Sequence, residues 1–432
     1  MSDKTKKPGR KPQNIRTQNK RVLLDLYHRN SELSVTEISR FIGLSRTTVM
    51  KLNQELLQEG LIVESGKRQE TELGGKKPLV YQFNSEKKFI IAIYILYETI
   101  DLCVFDLNFK VVIKDSILMR KSSKFLNIVK LIQNMISRSI KETTKLKDAD
   151  FLACIIGIHG NVDHATGVCL QATHYHSWGI NRNLRDILSE KLDLSCPIHI
   201  DNWIRLKTYC ENRFGLVSRH ETAVLLDTGW HGVAAGILIN GELYNGKHYT
   251  SGEVGHFMVN PDDKEECFCG SHGCFEKQIM IERLRLQAKE LVSTYPESLL
   301  AEKVDSMDIL KVFAAADAGD PIALELMNFS VRWFTLVISH IFLFFDPEVL
   351  YIEGDYAEGC KYFQKKLAEN LEKYILPRIK KHCDVIRYKK NEGDEVLKGA
   401  AVFAYDKYFV ESVELAAREA AVALKADPGT NS

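Results

Sequence analysis

Apolar residues in the first part of the chain recur with a helical period and then with a strand period. Leu23, Leu26 and Tyr27 fall at helical spacing, which predicts a helix over residues 19–29. A second helix is expected from the cap Ser34 to Ile42, burying Val35, Ile38, Phe41 and Ile42, with Gly43 as its stop. After the turn Leu44-Ser45, a third helix over residues 46–59 turns Val49, Leu52, Leu56 and Leu57 inward, with Ser45 as its cap. Its opposite side shows Arg46, Thr47, Thr48, Lys51 and Gln54. Residues 61–63 and 79–83 alternate like the strands of a hairpin, around a loop holding Lys67, Arg68, Lys76 and Lys77. This order is the grammar of a winged helix-turn-helix. One helix reads base edges, and a basic wing follows the phosphate backbone or enters the minor groove.

From Phe89 onward the pattern changes to strands alternating with helices. Strands are expected over 89–96, 100–105, 111–115, 152–158, 197–200, 223–227 and 233–239, with a hairpin turn at Asn240-Gly241. Helices are expected over 125–145, 274–295 and 321–345. The second half repeats the opening of the first, and two similar α/β halves predict a ligand cleft between them.

Length and charge sharpen this division. A chain of 432 residues is too long for one ordinary core. Its near-neutral balance conceals a split, because residues 1–85 hold 16 Lys/Arg against 9 Asp/Glu. A basic end on an acidic body suits a protein that meets phosphate at one end only. Within the arm, Lys7-Pro-Gly-Arg10-Lys-Pro12 has the make-up of a minor-groove hook with Arg10 at its centre. The apolar runs are too short to span a bilayer, and no apolar segment follows the basic N-terminus as in a secretory signal. A cytoplasmic protein with no membrane partner is expected. The expected division is a basic arm 1–18, a winged helix-turn-helix 19–84, an α/β domain 89–410 and an Ala-rich tail 411–432 to which no function attaches.

Of ten cysteines, Cys267, Cys269 and Cys274 are crowded together, which points to metal rather than cross-links. With His256 they supply four soft ligands for a closed, structural tetrahedral zinc site. His272 is a competing ligand inside the same loop.

Gly252-Glu-Val-Gly-His256 followed by Cys267-Phe-Cys-Gly-Ser-His-Gly-Cys-Phe-Glu276 resembles the signature of the ROK family of repressors, open reading frames and kinases. Gly232 to Gly246, Gly157-Ile-His-Gly160, Val162-Asp163 and Asp346-Pro-Glu-Val349 are similar too. With a winged helix in front, the chain looks like the xylose-repressor type of ROK regulator. The resemblance implies a two-lobed actin-like, ribonuclease-H-like domain with a zinc knuckle. It implies a sugar pocket of Asn202, Glu253, His256 and Glu276, with His256 serving metal and sugar through different ring nitrogens. Glu253 and Glu276 have an alternative role in orienting the knuckle.

The family's kinases need an aspartate base, and the register set by Glu211 and Gly215 puts Trp203 at that position. Tyr94 stands where a metal-linked aspartate belongs, Leu96 where a phosphate-loop glycine belongs, and His159 where the family has proline. The expectation is a non-enzyme: a DNA-binding regulator, a repressor of carbohydrate-related genes. Its partners would be a double-stranded operator, a small carbohydrate effector and further copies of itself in a homodimer or homotetramer. Two alternatives stand beside it. One is a sugar kinase using Asp201 as base. The other is a ligand-independent DNA-binding factor whose pocket is closed by Trp203.

Overall fold

The computed structural model describes residues 12–67, 78–120, 124–172, 178–229, 232–358, 360–374, 386–389 and 393–410. Arg10, Lys76, Lys77 and the tail 411–432 lie outside the described residues.

Three helices and a small sheet make the head. Helix α1 (Pro12–Arg29) begins inside the stretch expected to be an arm. Helix α2 (Val35–Ile42) starts with a capping box, in which the Ser34 hydroxyl accepts from Glu37 N at 3.3 Å and the Glu37 carboxylate accepts from Ser34 N at 2.8 Å. It stops at Gly43, whose φ of 67° suits glycine. Helix α3 (Arg46–Gln58) is capped by Ser45, whose hydroxyl accepts from Thr48 N at 3.1 Å. Strands β1 (Leu33–Ser34), β2 (Ile62–Lys67) and β3 (Leu79–Phe83) form an antiparallel sheet in the order β1-β3-β2. Phe41 departs from expectation and is 64% exposed. Val35, Ile38 and Ile42 form the inward stripe of α2, and Phe41 falls to one side of it.

The first lobe of the larger domain contains β4 (Phe89–Ile95), β5 (Thr99–Asp106), β6 (Val111–Leu118), α4 (Phe125–Glu142) and β7 (Phe151–Ile158). A small antiparallel sheet of β8 (Gly160–Asp163), β9 (Val168–Ala172) and β10 (Ile180–Asn183) follows, then α5 (Leu184–Lys191) and β11 (Ile198–Asn202). The long strands order as β11-β7-β4-β5-β6, with β4, β7 and β11 parallel. Helix α6 (Trp203–Phe214) leads to the second lobe, where β12 (Ala223–Gly229), β13 (Gly232–Ile239) and β14 (Glu242–Leu243) precede the helices. Asn240 and Gly241 turn the β13–β14 hairpin with φ of 55° and 73°, as their sequence predicts.

The helix expected over 274–295 is two helices, α7 (Phe275–Ile279) and α8 (Ile281–Leu291), because Met280 adopts an extended ψ of 150°. Helices α9 (Ile309–Asp317), α10 (Pro321–Phe345) and α11 (Lys361–Tyr374) complete the second lobe, with β15 (Val349–Glu353) and β16 (Ile386–Tyr388) extending its sheet as β14-β13-β12-β15-β16. The last described helix, α12 (Glu395–Ala404), returns to the first lobe and packs on α6.

Strand periodicity explains how these layers assemble. Along β4, Phe89, Ile91, Ile93 and Ile95 face α4, while Ile90, Ala92 and Tyr94 face α6 and α12. Along β12, Ala223 and Leu225 face the same central helices, and Val224 and Leu226 face α10. The central helices are thus sandwiched between the two sheets, and the buried cluster that holds them continues into Leu23, Tyr27 and Phe83 of the head. Gly399 permits their close crossing, since a Cβ there would lie 1.7 Å from the Leu206 carbonyl oxygen. Helix α10 is long and apolar enough by length and composition to cross a membrane, yet Leu326, Phe334, Ile338 and Phe342 are buried in the second lobe's core.

Candidate functional site

The four residues expected to bind metal come together in space. Cys267 Sγ lies 3.7 Å from His256 Nδ1, Cys269 Sγ lies 3.6 Å from Cys274 Sγ, and all four ligand atoms fall within 4.8 Å of one another. An ion held at about 2.3 Å by sulfur requires ligand atoms about 3.8 Å apart, so this cluster can hold a tetrahedral metal ion. Gly273, at φ 67°, lets the loop double back where a Cβ would strike the Asn260 carbonyl oxygen at 1.9 Å. His272 is exposed and sits opposite Glu266 in a short bridge, apart from the four ligands. Every described cysteine is a free thiol.

The knuckle leads directly to the carboxylates. His256 gives Nδ1 to the sulfurs, while its Nε2 is 3.9 Å from Glu253 Oε2. Glu276, in the first turn of α7, accepts from Val233 N at 3.1 Å through Oε2 and lies 3.8 Å from Cys267 Sγ through Oε1. Burial and the neighbouring Glu276 carboxylate push Glu253 up to about 7. Across the cleft, Gln171 of β9 donates to the Phe268 carbonyl at 3.4 Å, tying the first lobe to the knuckle. Glu253, His256 and Glu276 therefore form one group. Asn202 is engaged elsewhere: its Oδ1 caps α6 at Ile204 N, 2.9 Å, and its Nδ2 donates to the Gly160 carbonyl at 2.7 Å.

Tyr94, His159 and Trp203 stand at the carboxyl ends of three neighbouring parallel strands, where α/β proteins place their ligands. They form a single stack. The Trp203 and His159 rings are 4.8 Å apart at 28°, and the His159 and Tyr94 rings 5.5 Å apart at 26°. Tyr94 Oη and His159 Nε2 share a hydrogen bond of 2.6 Å. Trp203 is 8% exposed.

Asp201 is fully buried, accepting from Arg205 Nε at 2.7 Å and from Asn202 N at 2.8 Å, with His199 Nε2 at 3.5 Å. Burial would raise its carboxyl, but the Arg205 guanidinium and His199 outweigh it and hold it at about 2.

Beside the stack lies a cavity of about 990 Å³, walled by Tyr94, Trp203, Lys207, Asp227, Asp355 and Glu395 among others, and not by Glu253, His256 or Glu276. Lys207 of α6 pairs with Asp227 of β12 and, at 2.6 Å, with Glu353 of β15. Burial alone would lower the Lys207 ammonium, and these two carboxylates raise it instead. Lys389 joins the same network through Glu211 at 2.6 Å, Glu353 at 3.3 Å and Glu395 at 3.6 Å. Burial and Asp227 push Asp355 up to about 6. Sequence reading missed this network, because its members are far apart in the chain.

Helix α12 joins the cleft to the head. Its first turn supplies Glu395 and Val396 to the cavity wall, and near its end Phe403 stacks on His199 at 4.4 Å. In the following π-turn (Tyr405–Val410), Tyr405 stacks on His28 of α1 at 4.6 Å and Phe409 meets Phe83 of β3 edge-on at 6.0 Å. His28 Nε2 donates to the Leu107 carbonyl at 2.8 Å, and burial holds the ring below its ordinary pKa.

On the head, Arg46, Thr47 and Lys51 are exposed along one side of α3. Thr48 is half-buried, with its hydroxyl 2.8 Å from that of Ser45. It belongs to the helix cap as much as to the outer face.

Comparison with known proteins matches two family models to separate parts of the chain. A winged helix-turn-helix DNA-binding model matches residues 16–63, and the ROK family model matches residues 90–407. The xylose repressor of Caldicellulosiruptor bescii is 27% identical over 353 residues, covering 81% of this chain and 86% of that one. The DNA-binding transcriptional dual regulator NagC of Escherichia coli K12 is 24% identical over 367 residues, covering 84% and 86%. A solved ROK family transcriptional regulator, homologous to the E. coli MLC protein, superposes with a TM-score of 0.74 at 22% identity over 93% of this chain and 98% of its own. The ROK hexokinase of Thermus thermophilus superposes with 0.58 at 20% identity, over 74% of this chain and 98% of its own. With the family model covering far more than half of its length, the chain belongs to the ROK family.

Proposed function

We propose that the protein is a DNA-binding transcriptional regulator, a cytoplasmic repressor of carbohydrate-related genes, whose kinase-like domain senses a sugar without phosphorylating it. The observation that carries this reading is the Tyr94–His159–Trp203 stack on the same cleft as an assembled metal knuckle. An indole cannot take a proton from a sugar hydroxyl at neutral pH. The alternative base, Asp201, is held at about 2 by its ion pair, far below the range that suits proton abstraction. Phosphates entering the cavity would meet Asp227 and Asp355, while Lys207 is already paired.

Zinc would be held by His256, Cys267, Cys269 and Cys274, where it supplies a fixed cross-link in the loop. Glu253, His256 and Glu276 then offer acceptors and a donor for vicinal hydroxyls, while Asn202 braces the first lobe through its bonds to Ile204 and Gly160. Sugar binding moves the lobes about α6 and α12, and α12 passes the movement to His28 and Phe83 through Tyr405 and Phe409. Arg46, Thr47 and Lys51, with Thr48 behind them, would meet the operator, together with Arg10, Lys76 and Lys77. Two heads must span two half-sites, which needs a homodimer or homotetramer. Leu343 and Phe344, 56% and 73% exposed at the end of α10, support such a contact.

A second reading has its own support, since the burial of Trp203 favours a closed pocket and a ligand-independent factor. A thermal-shift screen of the zinc-loaded protein against sugars and sugar phosphates separates the two. A ligand at a hundred times its Kd adds about 2.7 kcal/mol, a readily seen rise in Tm. One hit on the natural protein establishes the sensor. Stabilisation of only a Trp203→Asp variant means that the indole has closed the site.

A further inference from the structure

The exposed side of α3 carries one residue whose chemistry differs from its neighbours. Met50 is 60% exposed, between Arg46, Thr47 and Lys51, and is not one of the residues that make up the buried clusters. The inward side of the helix is already filled by Val49, Leu52, Asn53 and Leu56, so Met50 is not needed by the head's core. It stands one turn beyond Arg46 and three residues beyond Thr47, on the side that a recognition helix turns to base edges. Leaving a large apolar side chain in water has a cost that binding can recover.

The major groove narrows the choice of partner to one group. Every base presents hydrogen-bond donors or acceptors there, and the C5-methyl of thymine is the groove's apolar feature. Methionine, unbranched and polarizable, can follow that methyl without fixed directionality. We propose that Met50 is a specificity-determining residue, which packs its thioether on a thymine methyl in each operator half-site. This inference rests on the DNA-binding reading of the head. Within it, Met50 selects among sequences, whereas Lys51 and Arg46 attract any DNA.

The test uses the full-length, zinc-loaded protein and duplexes that it selects from a random pool. Each thymine of the selected site is replaced in turn by uracil, which removes only the methyl. Binding is then measured for the natural protein, Met50→Ala and Met50→Leu. At one thymine per half-site, loss of the methyl weakens binding by the natural protein and Met50→Leu about fourfold. Met50→Ala is insensitive there and folds as stably as the natural protein, because the side chain is exposed. Equal methyl sensitivity in the natural protein and Met50→Ala at every thymine overturns the proposal, and so does sensitivity at none. A pool in which nothing is enriched refutes the DNA-binding reading, and this inference with it.

Discussion

The knuckle and the aromatic stack stand on the same cleft and have opposite characters. At the knuckle, four ligand atoms lie within 4.8 Å, the backbone turn is open only to glycine and two carboxylates stand adjacent, all of them polar groups. At the strand ends, three stacked aromatic rings occupy the carboxyl ends of parallel strands, where α/β proteins place their ligands. Binding and chemistry are separable on one fold. Holding a sugar needs hydrogen-bonding groups and a rigid frame, and transferring a phosphoryl group adds a free base and room for anions.

The largest effect should come from the knuckle. Cys274→Ser should reduce bound zinc from one per chain to near none and destabilise the protein by on the order of 4–5 kcal/mol. Metal analysis and denaturant titration would check both. An unchanged stability would mean that the knuckle does not brace the cleft. Next comes the stack, where Trp203→Ala removes a buried ring and should cost about 3–4 kcal/mol. A negligible loss in urea unfolding would show that the indole is a loose lid.

In the first lobe, Arg205 and His199 hold the Asp201 carboxyl at about 2 against an unfolded value of about 3.9. A depressed carboxyl contributes stability above its unfolded pKa and loses it as pH falls through its folded pKa. Between about pH 5 and pH 1 the natural protein should therefore lose up to about 2.5 kcal/mol that Asp201→Asn does not. Parallel stability profiles would contradict this. The smallest effect belongs to the head, where Ser34→Ala breaks the capping box and should cost about 1 kcal/mol without altering zinc content.

How legible these regions were depended on where their partners lie in the chain. The head and the knuckle are local. Ser34 and Glu37, Ser45 and Thr48, and Cys267 through Cys274 meet their partners within a few residues, so spacing alone points to them. Tyr94, His159 and Trp203 are read in the sequence as three separate expectations. Only the parallel pairing of β4, β7 and β11 shows them to be one feature.

The Lys207 and Lys389 network and the His28–Tyr405 joint leave no local signal, since both join residues from distant parts of the chain. Phe41 was misread because a short helix offers few turns from which to fix its inward direction. Met280 broke an expected helix that its apolar spacing alone would have continued.

A cleft that binds sugar without transferring phosphate releases no ADP. The direct measurement is ADP release from Mg²⁺–ATP by the zinc-loaded protein in the presence of each hexose of a panel, with Asp201→Asn alongside. The account predicts no hexose-dependent ADP from either protein. Sustained turnover with any hexose, abolished in Asp201→Asn, would contradict it and make the protein a kinase.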